Sequence, residues 1–125
     1  GGVYYTPREI VEYIVKQTVG SICDGKTPEQ VEKVKILDPA SGSGSFLIGA
    51  YEYLLDWYKD FFSKNPNEYS KKKMAEIVTP SGDLTTKFKG KVLLDNIYGV
   101  DIDHNAVEVT KLSLLLKCME GETKE

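Results

Sequence analysis

Histidine is almost missing from this chain: His104 is the only one among 125 residues. It sits where a helix would begin and reads as solvent-facing. No grouping of His, Cys and carboxylate falls at metal-ligand spacing, so no metal site is expected. Cysteine is scarce too. Cys23 and Cys118 form no pattern, which fits buried or inert thiols in a reducing compartment rather than a disulfide framework. No apolar run reaches the roughly 18 residues that a membrane span needs, and no signal-peptide pattern opens the chain. The expected location is therefore the cytoplasm, away from any membrane. Positive charge is not in excess either: 16 Lys and Arg face 19 Asp and Glu, a net charge of −3. That is not the basic surface of a nucleic-acid grip, and Lys71-Lys-Lys73 reads as a solvated run. Repeats and low-complexity tracts are absent. What remains is 41% hydrophobic, a globular composition for one domain at most.

Against that background one stretch stands out. Asp38-Pro-Ala-Ser-Gly-Ser-Gly-Ser-Phe46 follows a short apolar run, Val34-Lys-Ile-Leu37, and opens an amphipathic stretch from Phe46 to Phe62. Strand, glycine loop and helix in that order form the first turn of a nucleotide-binding α/β sheet. Glycines let backbone approach a ligand that a Cβ would block. A dinucleotide fingerprint would need a third glycine where Leu47 stands, and a ribose acid about 20 residues on. The next acid at a plausible strand end is Asp101, so a nicotinamide enzyme is disfavoured. A plain tight turn would not need an acid, two glycines and four small residues together.

Two further segments carry chemistry. Thr6-Pro-Arg-Glu9 is a capping-box pattern with Pro7 at the first helical position. Apolar residues then recur at Ile10, Val11, Ile14, Val15 and Val19, which predicts a helix over 7–19. Taken on chemistry alone, Thr6 is a helix cap and Tyr4 and Tyr5 are core packing. Asn96-Ile-Tyr-Gly-Val-Asp101 reads as a second strand, about 97–101. Asp103 caps a nearly all-round apolar helix, about 104–119, whose last turn carries Lys117.

The three segments together resemble the adenine-specific DNA methyltransferases. The glycine stretch is similar to their motif I, in the D-P-A-x-G-S-G-x-F form of type I modification subunits and fused type II restriction–modification enzymes. Gly2-Val-Tyr-Tyr-Thr-Pro7 resembles motif X, and Tyr98-Gly-Val-Asp-Ile-Asp103 resembles motif II. The order X, I, II is that of the gamma-type arrangement. The resemblance implies S-adenosylmethionine as cofactor. It places Asp38, Pro39, Ala40, Ser41, Gly42, Gly44 and Phe46 around the methionine and ribose part, with Tyr4, Thr6 and Pro7 packed at the methionine end. Asp101 would take the ribose hydroxyls and Ile102 would pack on adenine. The chemistry suits: a carboxylate is acceptor-only and can take two hydroxyl protons, an anionic Asp38 favours a sulfonium, and a tyrosine face attracts a cation.

The implied fold is α/β, a partial Rossmann-like class I methyltransferase fold. It would be helix-rich and hold only the first strands of the parallel sheet. Residues 1–125 would be the N-terminal part of the catalytic domain, with motif X at 2–7, motif I at 38–46, a helical insert about 64–95, and motif II at 98–103. Within the middle of the chain, Leu47, Tyr51, Leu54, Tyr58 and Phe61 are expected to form a buried helical stripe. Asn65-Pro-Asn67 breaks that helix. Ser70 to Val78 is a further helix, Thr79-Pro-Ser-Gly82 a turn, and Leu84 to Asp95 a helix despite Gly90. Two strands alone form a marginal sheet, so an exposed edge and self-association are expected.

The family's catalytic loop, N/D-P-P-Y/F/W, has no counterpart. Asn65-Pro-Asn67 lacks the second proline and the aromatic. No residue of this chain is therefore expected to be catalytic, and the chain alone should be inactive. DNA would be engaged through a longer parent polypeptide, with specificity or restriction subunits or fused domains as partners. Two rival readings keep the composition: a methyltransferase fragment acting on RNA or protein, and a non-catalytic assembly module. A scaffold need not bind S-adenosylmethionine, which separates it from the others.

Overall fold

The structure, a computed structural model, describes residues 7–38 and 45–99, with Asp38, Ser45 and Gly99 described by their backbone only. Among them are five helices and a two-stranded parallel sheet. The expected helix over 104–119, with His104 and Cys118, lies outside the described residues. No described helix is long and apolar enough to cross a membrane.

Helix α1 spans Pro7–Cys23. Pro7 stands at the start, where its missing N–H costs no hydrogen bond, and Glu9 in the first turn complements the helix dipole. The helix runs a turn beyond the expected end because Cys23 is fully buried and extends the apolar face of Val15 and Val19. Gly25, at φ +72°, then takes the left-handed conformation that closes a helix at little cost. A four-residue helix, α2 (Pro28–Val31), follows on a complete capping box. The Gln30 N–H donates to the Thr27 hydroxyl at 3.3 Å, and the Thr27 N–H donates to the Gln30 side-chain carbonyl at 3.0 Å.

Strand β1 (Ile36–Asp38) leads to helix α3 (Ser45–Lys64), about 30 Å long at 1.5 Å per residue. Its buried stripe is Leu47, Tyr51, Leu54, Tyr58 and Phe62. Phe62, not Phe61, is the fifth member. Phe88 and Tyr69 close on the Phe62 ring from later elements, at 6.0 and 5.9 Å between centroids. Phe61 is half-buried and stacks on Trp57 at 5.4 Å.

Helix α4 (Lys71–Ile77) is capped by Ser70, and α5 (Thr86–Asn96) by Thr85. Between them the Gly82 N–H donates to the Thr79 carbonyl at 2.9 Å, with Gly82 at φ +90°. Val78 and Leu84 form an antiparallel bridge across this turn. The Tyr51 hydroxyl donates to the Lys89 carbonyl at 2.7 Å and so ties α3 to α5.

Strand β2 (Ile97–Gly99) leaves α5 without an intervening loop. It pairs with β1 in parallel, Ile36 opposite Ile97, Leu37 opposite Tyr98, and Asp38 opposite Gly99. Side chains alternate across the sheet: Ile36 and Ile97 enter the core, while Leu37 and Tyr98 face outward at 53% and 39% exposure.

Candidate cofactor site

Two features of the described residues bear on a candidate site. The first is the shared end of the strands. Asp38 closes β1 level with Gly99, the last residue of β2, so the chain leaves both strands at one edge of the sheet. From that edge β1 feeds the glycine loop, and α3 begins at Ser45 on the far side of it. The expected order of strand and helix on either side of the glycine stretch is thus present. Residues Pro39, Ala40, Ser41, Gly42 and Gly44 lie outside the described residues, as do Tyr4, Thr6, Asp101 and Ile102. Phe46 is half-buried and packs on the core cluster.

The second feature is a cleft of about 270 Å³ lined by Pro7, Arg8, Val11, Glu12, Ile48, Gly49 and Glu52. It brings the first turns of α1 against the first turns of α3, the helix that follows the glycine stretch. These helices approach closely because Gly49 carries no side chain. A Cβ there would stand 2.7 Å from Val11 Cγ1, inside van der Waals contact. Gly49 is the first glycine after the loop, two positions beyond Leu47. A glycine inside a helix is itself a packing signal, and it would have pointed to this contact.

Arg8, Glu12 and Glu52 bring charge to an otherwise mainly apolar lining. Arg8 Nε donates to Glu12 Oε1 at 3.0 Å, both side chains well exposed, so the pair contributes little to stability. Glu52 is half-buried on the opposite wall. One turn on, burial first and then the negative charge of Glu52 push the Asp56 carboxyl above its ordinary value. Glu12 and Glu52 belong to no pattern in the sequence, whereas Arg8 lies within Thr6-Pro-Arg-Glu9.

Elsewhere the polar chemistry is structural. Lys91 bridges Glu32 and Asp95, at 2.6 Å to the latter. Burial lowers the Lys91 ammonium, but its hydrogen bonds to Asp95 and Glu32 outweigh this and carry it above its ordinary value. The Tyr69 hydroxyl donates to Glu29. Lys71, Lys72 and Lys73 are exposed on the first turn of α4, with the Lys73 ammonium 3.9 Å from the Tyr69 ring centre. Cys23 is buried, and burial pushes its thiol up. No group of three His, Cys, Asp or Glu among the described residues could hold a metal ion.

The sequence matches the N-6 DNA methylase family over residues 1–125. It is 37% identical over 123 residues to the type II restriction enzyme and methyltransferase RM.Eco57I of Escherichia coli, covering 98% of this chain. It is 32% identical over 157 residues to the putative type II restriction enzyme and methyltransferase RM.MjaORFECS2P of Methanocaldococcus jannaschii, covering 96%. A more distant relative, at 24% over 152 residues, is the adenine-specific methyltransferase BrxX of Escherichia coli O9:H4 (strain HS). The chain spans 12% of the length of the first two and 11% of the third. No solved structure matches it.

Proposed function

The chain belongs to the N-6 DNA methylase family, and on that premise we propose that it is the S-adenosylmethionine-binding part of a site-specific adenine DNA methyltransferase in a restriction–modification system. The two parallel strands are then the first strands of a Rossmann-like sheet, and residues 1–125 the N-terminal part of its catalytic domain. Motif X occupies 2–7, motif I 38–46, the helical insert about 64–95, and motif II 98–103. The observation that carries this reading is the strand register: β1 ends at Asp38 level with the end of β2. Asp101 follows β2 by two positions in sequence, and in this reading the acids of motifs I and II share that end of the strands.

The residues suit the cofactor in chemistry as well as in order. S-adenosylmethionine supplies a methyl group on a positively charged sulfur. Asp38 offers a negative charge to that end of the ligand, and Asp101 offers an acceptor for two hydroxyl protons. Pro39, Ala40, Ser41, Gly42 and Gly44 give a loop of small residues through which backbone meets the ligand. Phe46 starts the apolar face of α3 behind the loop. Tyr4 and Thr6 precede α1 in sequence and Pro7 opens it, and the first turn of that helix shares a cleft with α3. Ile102 packs on the adenine ring. No residue here takes a proton from the target amine. That task, and the flipping of the base, fall to a loop with the N/D-P-P-Y/F/W pattern, which this chain does not contain. DNA is then bound through the longer polypeptide, in the cytoplasm.

Calorimetric titration of the chain with S-adenosylmethionine and S-adenosylhomocysteine tests the reading. Saturable binding that is lost in Asp101→Ala is the expected result. Methyl transfer to unmethylated DNA by the chain alone would show that the catalytic assignment is wrong.

A further inference from the structure

The three-residue strands do not specify their own pairing. On each, the buried and the exposed position are both apolar: Ile36 beside Leu37, and Ile97 beside Tyr98. A slip of one residue exchanges the faces of a strand, yet here it would still deliver an apolar side chain to the core. So short a parallel ladder also has few hydrogen bonds with which to resist slipping. Something outside the strands must hold the register.

Asn96 has the geometry to do so. It is the last residue of α5, directly before β2, and is 0% exposed. Its Nδ2 donates to the Val31 carbonyl at 2.8 Å and to the Val34 carbonyl at 2.7 Å, with a longer contact to Glu32 at 3.4 Å. These carbonyls flank the turn that leads into β1. A carboxamide nitrogen has two protons, and both are committed to the segment before the partner strand. The acceptors also dictate which way the amide faces, because a reversed Oδ1 would confront carbonyl oxygens. From the other side, Lys35 Nζ reaches back to the Asp95 carbonyl at 2.7 Å, at an exposed position. Sliding β1 and the turn before it by one residue, about 3.3 Å, would break the Asn96 bonds to Val31 and Val34.

We propose that Asn96 is a positioning residue that sets the register of β1 against β2, and through it the relative placement of Asp38 and Asp101. The placement of the acids rests on the cofactor reading above; the register does not.

The test uses cysteines at the outward pair, Leu37→Cys with Tyr98→Cys, in a Cys118→Ser background that leaves the buried Cys23 in place. In register these thiols are neighbours on one face and bridge under mild oxidation; one residue out of register they point to opposite faces and cannot. Bridging is read by mass spectrometry of the linked peptides, below the melting temperature of each protein. Asn96→Leu keeps the branched shape, with methyl groups in place of the amide O and N, and removes the donors. It should lower the bridged fraction at least fivefold, whereas Leu54→Ala, which weakens the core elsewhere, should leave that fraction unchanged. Should Asn96→Leu not fold, Asn96→Ala also lacks both donors and is read in the same way. Equal bridging in the Asn96 variant and the Leu54 control overturns the proposal. Where register is lost, S-adenosylmethionine should bind at least tenfold more weakly and recover in the small fraction that is bridged. Lost register with no binding by any form of the chain would uphold the register role and overturn the cofactor reading instead.

Discussion

Gly20, Gly49 and Gly90 all sit inside helices, and replacing each by alanine separates backbone preference from packing. Alanine is favoured over glycine in a helix interior by about 0.5–1 kcal/mol. At Gly90 an added Cβ meets nothing within 4 Å, so Gly90→Ala should realise that whole gain, about 2–4 °C in Tm for a chain of this length. At Gly49 the Cβ would lie 2.7 Å from Val11 Cγ1 and 3.5 Å from Val15 Cγ2. Valine in a helix is held to one χ1 well, so Val11 cannot turn aside and α1 must retreat from α3. Overpacking of this kind costs about 1–3 kcal/mol, which outweighs the backbone gain and leaves a net loss of about 1–2 kcal/mol. Gly20 is intermediate. Its Cβ would meet Tyr53 Oη at 2.8 Å, the far end of a side chain that can swing, so the change should be near zero. Urea and thermal unfolding followed by circular dichroism would rank the three. Adding Val11→Ala to Gly49→Ala removes the opposing methyl and should recover about 1 kcal/mol or more as a coupling energy. If Gly49→Ala stabilised the chain as much as Gly90→Ala, the close approach of α1 and α3 would be refuted, and with it the cleft that joins their first turns.

Leu54, at 0% exposure in the middle of α3, should cost about 2–5 kcal/mol when cut to alanine; a loss below 1 kcal/mol would mean that the α3 stripe is not the centre of the core. The hydrogen bond from Tyr69 is the first cause that holds the Glu29 carboxyl below its ordinary value of 4.5. Its stabilisation is therefore present above pH 4.5 and lost as pH falls through the lowered value. Thermal melts of Tyr69→Phe should differ most from the parent at neutral pH and converge with it in acid; a constant offset at all pH values would contradict this. Burial pushes the Cys23 thiol up, opposed in part by Lys26, so in a Cys118→Ser background a thiol reagent should react only as fast as the chain opens. Rapid labelling of the folded protein would show that Cys23 is not sealed in the core.

Much of the chain could be read locally, and the parts that could not share a cause. The start of α1 was legible in Thr6-Pro-Arg-Glu9, the end of α3 in Asn65-Pro, and the turn before α5 in Thr79-Pro-Ser-Gly82, because caps and breakers act over four residues. The capping box Thr27-Pro-Glu-Gln30 is as clear, but a four-residue helix gives no apolar period to draw attention to it. Phe61 and Phe62 are 100° apart on the helix and both fit a stripe by spacing; rings at Tyr69 and Phe88 decide between them. The register of β1 on β2 was hidden for the same reason. Ile-Leu-Asp and Ile-Tyr-Gly permit more than one alignment, and the bonds from Asn96 reach carbonyls 62 to 65 residues earlier. The candidate site straddles this divide. Its glycine loop and acids are local words in the sequence, whereas the shared end of β1 and β2 is held, on the register proposal, by the buried amide of Asn96, and the α1–α3 cleft depends on the bare Cα of Gly49. Neither residue belongs to a motif. A search for function by motif alone would pass over both, although a substitution at either should disturb the site through the placement of its neighbours.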